Sequence, residues 1–470
     1  MIYKNIILVI LLMSAFFMRF SGGEIANLSY FVLAGYALFG RVQLIQSLTL
    51  LWLFAFIGPA ITPEASAASV LRYIVIVAAA VSLLFHKYMK RPFSFRRISL
   101  LVFSTLCLGI FIFIHSIFFS LIIDVSILKT FLWLIVILVL MSAWEGLDNL
   151  ERTRLEKQLF GGLAVLMLIC LPLIFTNIGY IRNGYAFQGI LDSSQSWGLV
   201  MAVLGSWLIG RLSEKVQYRW LDIILLGLSM VLLVMSATRT AGFALVLAVS
   251  FSSIIYFATR VSILSFIRTI FVVSIISMVT WINLSDQLTT FIFKKDSAAS
   301  VLKVGEASRG VLVFPMLTNI VENPMTGIGF GVASQPSKRI IHREGALGIP
   351  VGAPVEKGVT PLAILEELGV LGLIVVVLWV WMLIRRSYQS GFTPFLVLST
   401  VLFTNLGEAS LFSTGGMGLL FLVFLAWSVT GRSSASTVNK FHPKKLDSML
   451  KNSMRDTYLP VMIKPHSTPK

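Results

Sequence analysis

KYMKRPFSFRRISLLVFSTLCLGIFIFIHSIFFS, residues 87–120, decides the class of fold. Its opening carries Lys87, Lys90, Arg91, Arg96 and Arg97 and no acid, and residues 98–120 are almost wholly apolar. About 20 residues of α-helix cross a hydrocarbon core, and short loops rich in Lys and Arg stay on the cytoplasmic side. One stretch therefore supplies both a span and an orientation.

Outward from it, apolar runs recur along nearly the whole chain: 5–20, 25–40, 43–60, 69–85, 125–144, 158–176, 195–211, 219–236, 239–257, 263–283, 361–384, 392–407 and 410–430. With 57% apolar and 13% charged residues and a mean hydropathy of +0.89, the chain is too apolar for a soluble domain. The runs lack the strict alternation of barrel strands. They predict an all-α, polytopic transmembrane bundle of about 12 to 14 spans with one large outer loop containing short helices. The first run, Ile6 to Phe17 behind Lys4, is followed by no small-x-small cleavage site and reads as a retained span.

Alternating from a cytoplasmic N-terminus, the loops at 211–219 and 260–268, the pair Arg385-Arg386 and the basic tail after Gly431 all fall inside. Four basic segments agree on an even number of spans and a cytoplasmic C-terminus. The chain divides into an N-terminal transmembrane part (1–283), a large outer loop (284–360), C-terminal spans (361–430) and a tail (431–470). The net charge of +17 sits in short loops and the tail, so it marks topology and anionic lipid rather than nucleic acid. Cys107 and Cys170 lie inside apolar runs and form neither a disulfide framework nor a metal pattern.

The outer loop carries Lys294, Lys295, Lys303, Arg309, Lys338, Arg339, Arg343 and Lys357, although charge bias disfavours cations there. That mismatch points to an anionic ligand. Ser308 is expected to cap a helix running to Asn323, and Thr360 to cap the next span with Pro361 at its first position. Lys357 would then stand beside a positive helix end, where a phosphate is favoured. Glu366 and Glu367 follow about 9 Å into that helix, pointing about 100° apart, so one of them is expected to face a cavity.

Arg239, in the short turn Ser236-Ala237-Thr238-Arg239, is either a snorkelling anchor or a bidentate phosphate ligand. Glu322-Asn323-Pro324 and the alternate glycines Gly327, Gly329 and Gly331 permit a tight turn close to a ligand. A second polar outer loop runs from Arg182 through Tyr185, Phe187 and Gln188 to Gln195 and suits a sugar ring, or an ordinary interfacial belt. No carboxylate cluster has metal-ligand spacing.

In order, the Arg182–Gln195 loop, the Ser-x-x-Arg turn at Arg239, Ser308-Arg309 followed by Glu-Asn-Pro and Gly-x-Gly-x-Gly, and Leu-Glu-Glu-Leu-Gly-x-Leu-Gly resemble the O-antigen ligase and Wzy-type polysaccharide polymerase superfamily of bacterial inner membranes. The resemblance implies transfer of glycan from an undecaprenyl diphosphate carrier to an acceptor at the outer face of that membrane, without metal, nucleotide or other cofactor. It implies diphosphate-gripping roles for Arg239 and Arg309, and for Arg182. Partners would be the lipid-linked donor, a glycan acceptor, the bilayer and other polysaccharide assembly proteins.

A base is also needed, for which Glu356, Glu366 and Glu367 are candidates. Ligase members show a His-Asn pair just before the Glu-x-Gly helix, where this chain has Gly358-Val359 beside Lys357; His342 is the one histidine in the outer loop. The expectation is therefore a polymerase of surface or exopolysaccharide repeat units. The alternatives are a ligase acting on lipid A core or protein, and a lipid-linked oligosaccharide flippase or exporter.

Overall fold

The computed structural model describes residues 2–58, 61–63, 65, 67–90, 99–182, 184–214, 220–260, 301–339, 350 and 357–431, with backbone alone at 2–5, 86–90, 257–260 and 301–311. The expected span at 263–283, the basic segment 91–97, His342, Glu356 and the tail lie outside these residues. Among them run fourteen α-helices: α1 (Ile2–Ser21), α2 (Gly23–Ala37), α3 (Arg41–Phe56), α4 (Ala68–Lys90), α5 (Leu100–Phe119), α6 (Ile123–Glu145), α7 (Asn149–Cys170), α8 (Ser194–Glu214), α9 (Trp220–Met235), α10 (Arg239–Arg260), α11 (Val301–Glu322), α12 (Thr360–Ser390), α13 (Phe392–Thr404) and α14 (Gly416–Val429). The one β-feature described is an isolated antiparallel bridge between Ile57 and Leu191.

Seven of these helices are long and apolar enough to cross a membrane, and the protein is a multi-pass, all-α membrane protein. Its apolar surface faces outward, as lipid requires. On α5, Phe103, Ile110, Phe113, Ile114 and Ile117 are exposed while Leu101, Thr105, Leu108 and Ile112 are buried, the two sets alternating at helical spacing. At the centre stand α8 and α14, buried without a break over Ser196–Gly210 and Met417–Val429. Phe160 stacks on Trp207 at 4.5 Å and on Phe424 at 4.8 Å, tying α7 to both.

Hydrogen bonds sort the connections into two faces. On the short-turn face, Arg41 of α3 donates to the Gly146 carbonyl after α6. Arg152 of α7 donates to the Trp427 and Thr430 carbonyls at the end of α14. Arg211 of α8 pairs with Asp222 of α9 at 2.9 Å. On the long-loop face, the Asp192 amide donates to Phe56 O and the Phe187 amide to Met235 O. There too Thr238 Oγ1 donates to Ser194 O, Leu121 N to Ile328 O, and Thr360 Oγ1 to Asn405 Oδ1. Alternation along the chain and these contacts agree on which ends lie together.

Three boundaries differ from expectation. α7 begins at Asn149 rather than near 158, because Asp148 and Glu151 form a capping box and the charged first turns extend past the apolar run. α11 already runs from Val301, so Ser308 lies inside it rather than capping it. Val359, not Thr360, is the N-cap of α12, since the Thr360 hydroxyl is used on Asn405 and on Glu408 O.

Candidate functional site

Two sequence motifs meet at a break in α12. Gly369 has φ 66° and ψ −171°, which interrupts the helix between Leu368 and Val370. Only glycine adopts that backbone at no steric cost, and a Cβ there would also strike the Met325 carbonyl. The Val370 amide, which would otherwise bond Glu366 O, donates instead to Pro324 O at 3.0 Å. The freed carbonyls of Glu366 and Glu367 accept from the amides of Ile328 at 2.8 Å and Gly329 at 3.0 Å. Backbone groups at membrane depth must be paired, and here the Asn-Pro and Gly-x-Gly segment pairs them. His115 of α5 also bonds this segment, Nε2 to Thr326 O at 2.6 Å. A carbonyl only accepts, so Nε2 carries the proton.

The break fixes a buried charge cluster. Lys357 Nζ lies 2.8 Å from Glu366 Oε2 and 2.8 Å from Glu367 Oε1, and all three residues are buried. Both carboxylates turn toward Lys357, although adjacent helical residues point about 100° apart. Lys357 precedes the helix and reaches along its side, so a single ammonium meets both carboxylates despite their angular separation. Lys357 is therefore paired rather than presented to solvent beside the helix start.

The two carboxylates are not equivalent. Glu366 accepts from Asn319 Nδ2 on Oε1 at 2.6 Å and from Ser334 Oγ on Oε2 at 2.9 Å, in addition to Lys357. Arg339 then locks that shell, donating through Nη2 to Asn319 Oδ1 at 3.1 Å and to Ser334 O at 3.1 Å. Both oxygens of Glu366 are committed, with its side chain at 0% exposure, whereas the Glu367 side chain keeps 10%. Of the two, Glu367 alone keeps some accessible side-chain surface. Beside it, Lys129 of α6 donates to Gly331 O at 3.0 Å, within electrostatic range of Glu367, Lys357 and Arg72.

A second set of polar groups surrounds the turn from α9 to α10. Ala237 takes φ 52°, Thr238 is pinned to Ser194 O at 3.0 Å, and Arg239 opens α10 half-buried. Its Nη2 is buried and makes no hydrogen bond among the described residues. A buried guanidinium nitrogen without an acceptor costs free energy and is poised for an anion. Nearby, the Arg182–Asp192 ion pair at 3.0 Å is largely solvated, and Gln195 is exposed in the first turn of α8. Between the two regions stands α13, bonded to α10 through Ser252 and Ser399 at 3.0 Å and to α12 through Asn405 and Thr360 at 3.0 Å.

The structure thus brings together Gly329, Lys357, Glu366 and Glu367, and puts Arg239, Arg182 and Gln195 on the same face. The backbone of Arg309 lies within α11. Sequence reasoning missed Lys129, Asn319, Ser334, His115 and Arg72, and the bonds of Arg339 to Asn319 and Ser334. Lys129 was findable, as a lone cation inside an apolar run is functional by default. Set against protein-family models and curated proteins, the chain matches none.

Proposed function

We propose that the protein is a polysaccharide polymerase of the bacterial inner membrane, with both termini cytoplasmic and the long-loop face outside. It transfers glycan from undecaprenyl diphosphate to an acceptor sugar hydroxyl. The single observation that carries this reading is the Nη2 of Arg239, buried and without a hydrogen-bond partner among the described residues, on the face where polar loops, glycines and a buried carboxylate also gather. Bond breakage leaves negative charge on the lipid diphosphate, and a fixed guanidinium in a partly dry site stabilises that charge where it develops. The acceptor hydroxyl forms the new glycosidic bond and gives its proton to Glu367. Glu366, bonded on both oxygens, holds Glu367 and Lys357 in place. The chemistry needs two groups of opposite charge on one face, and these residues supply them.

The test is a transfer assay on protein purified in lipid nanodiscs with undecaprenyl-diphosphate-linked repeat units from the same cells. Longer lipid-linked glycans are expected from the wild type and not from Arg239→Gln. Failure of the wild type to extend any donor, or full extension by Arg239→Gln, overturns the reading.

A further inference from the structure

The connection from α7 to α8 opens with two short 3₁₀ turns, Leu171–Phe175 and Asn177–Tyr180. Its inner side is tied down. Tyr180 Oη donates to Ile174 O at 3.2 Å, the Gln188 amide to Gly179 O at 2.8 Å and the Arg182 amide to Gln188 Oε1 at 3.1 Å. Gly179 is buried, and a Cβ there would lie 2.5 Å from Leu173 O. The outer side is apolar. Phe175 is 89% exposed, and Ile178, Ile181 and Tyr185 are exposed with it. Apolar residues scattered singly over a surface call for no explanation, but these continue the lipid-facing side of α7. Exposed positions run through Val165, Leu168, Pro172, Phe175, Ile178 and Ile181 at three- to four-residue spacing.

Depth agrees with that continuity. By the α-helical and 3₁₀ rises, Phe175 stands about 26 Å beyond Leu159, where the charged turns of α7 have ended, close to the thickness of about 30 Å of a hydrocarbon core. Ile178, Ile181 and Tyr185 then fall at the boundary with the headgroups, where tyrosine and short amphipathic elements settle. Thr176, Asn177 and the solvated Arg182–Asp192 pair supply the polar flank.

We infer that Phe175, Ile178, Ile181 and Tyr185 form a keel seated in the acyl–headgroup boundary of the leaflet on the long-loop face. Four side chains fall far short of the roughly 20–30 residues a side of a stable protein contact, and they extend a surface that already faces lipid. The keel also fixes a level for its neighbours. Phe187, two residues beyond Tyr185, donates to Met235 O, and Thr238 donates to Ser194 O, so the turn from α9 to α10 that carries Arg239 is bonded to the same connection. Such a keel stands apart from the polymerase reading and holds the Arg239 turn at headgroup level whatever the site catalyses.

The probe is a nitrobenzoxadiazole dye on Thr176→Cys in the Cys107→Ser full chain, which leaves the keel residues intact, purified in phosphatidylcholine nanodiscs carrying lipid spin-labelled at acyl carbon 5 or 12. Cys170 is buried and stays unlabelled, and the same dye on native Cys107, exposed midway along α5, marks the hydrocarbon. At Thr176→Cys, quenching by carbon 5 is expected to exceed quenching by carbon 12, with the order reversed at Cys107, and iodide in the water is expected to quench weakly. Phe175→Asp with Ile178→Asp is expected to lose the carbon-5 quenching and gain iodide quenching, with thermal unfolding as in wild type. If that variant unfolds, the profile of the intact keel alone decides.

Strong iodide quenching with neither lipid active overturns the keel, as does a carbon-12 maximum like that at Cys107, which marks the plain end of a span. Protection from iodide and lipid alike marks cover by protein, a second copy included, and overturns it too. So does a profile that the two aspartates leave unchanged.

Discussion

Arg152 and Arg239 sit near the starts of helices on opposite faces of the bundle, and their surroundings differ in kind. Arg152 is used up: one guanidinium serves the Trp427 and Thr430 carbonyls and the Thr430 hydroxyl at the end of α14, where helix carbonyls lack partners. Arg239 has a buried nitrogen with no acceptor among the described residues. The same contrast recurs between Glu366, bonded on both oxygens, and Glu367, bonded on one and slightly exposed. A charge whose bonds are all spent on the protein maintains the fold. Arg41 and Arg211, on the same face as Arg152, also keep a buried nitrogen without a hydrogen bond among the described residues, so it is the polar loops around Arg239, and not the spare nitrogen alone, that single it out for a ligand.

That contrast breaks most sharply at the carboxylates. Glu367→Gln removes the base and is expected to slow glycan transfer by about 10²- to 10⁴-fold, measured with lipid-linked donor on purified protein. Glu366→Gln is expected to lower the thermal unfolding temperature while leaving more residual transfer than Glu367→Gln; equal rates in the two variants would erase the distinction. Next comes Lys357→Met, which leaves two buried carboxylates without a counter-ion and is expected to cost about 3–5 kcal/mol of stability. Chemical denaturation in detergent reads this directly, and adding Glu366→Gln to the variant should recover part of it.

Arg239→Lys keeps the charge and loses the fork. It is expected to reduce transfer by about 10- to 100-fold, the worth of one charge-assisted hydrogen bond, with unfolding temperature unchanged. The smallest effect is expected at the opposite face. Arg152→Met should lower stability by about 1–3 kcal/mol through the carbonyls it leaves unpaired, with transfer per folded molecule the same as wild type. A large loss of transfer in Arg152→Met with stability intact would undo the comparison.

The spans were legible because a helix crossing lipid must be apolar along its length, and that is a local property. α12 and α13 begin within a residue of expectation for this reason. α7 was placed too far along because Arg152, Arg154, Glu156 and Lys157 dilute the apolar run, although the capping box at Asp148 and Glu151 was there to be read. The candidate site was legible as a set of motifs and not as an arrangement. Nothing local tells that Lys357 would bend back onto both carboxylates, or that Asn319 and Ser334 would share Glu366, because those bonds join residues 9 to 47 positions apart. Lys129 is signalled by its isolation in an apolar run, but its bond to Gly331 O joins residues 202 positions apart and has no local sign.

The interruption of α12 at Gly369 has a consequence for how the molecule can be altered or moved. Because Pro324, Ile328 and Gly329 supply the bonds that the broken helix lacks, pulling the two segments apart would strand an amide and two carbonyls in greasy surroundings. They are welded into a single rigid piece, so any rocking that accommodates a long glycan must carry both together. A chimera that imports residues 360–372 without 323–331 inherits a helix with a hole in its bonding, and successful grafts will be those that transplant the two as one cassette.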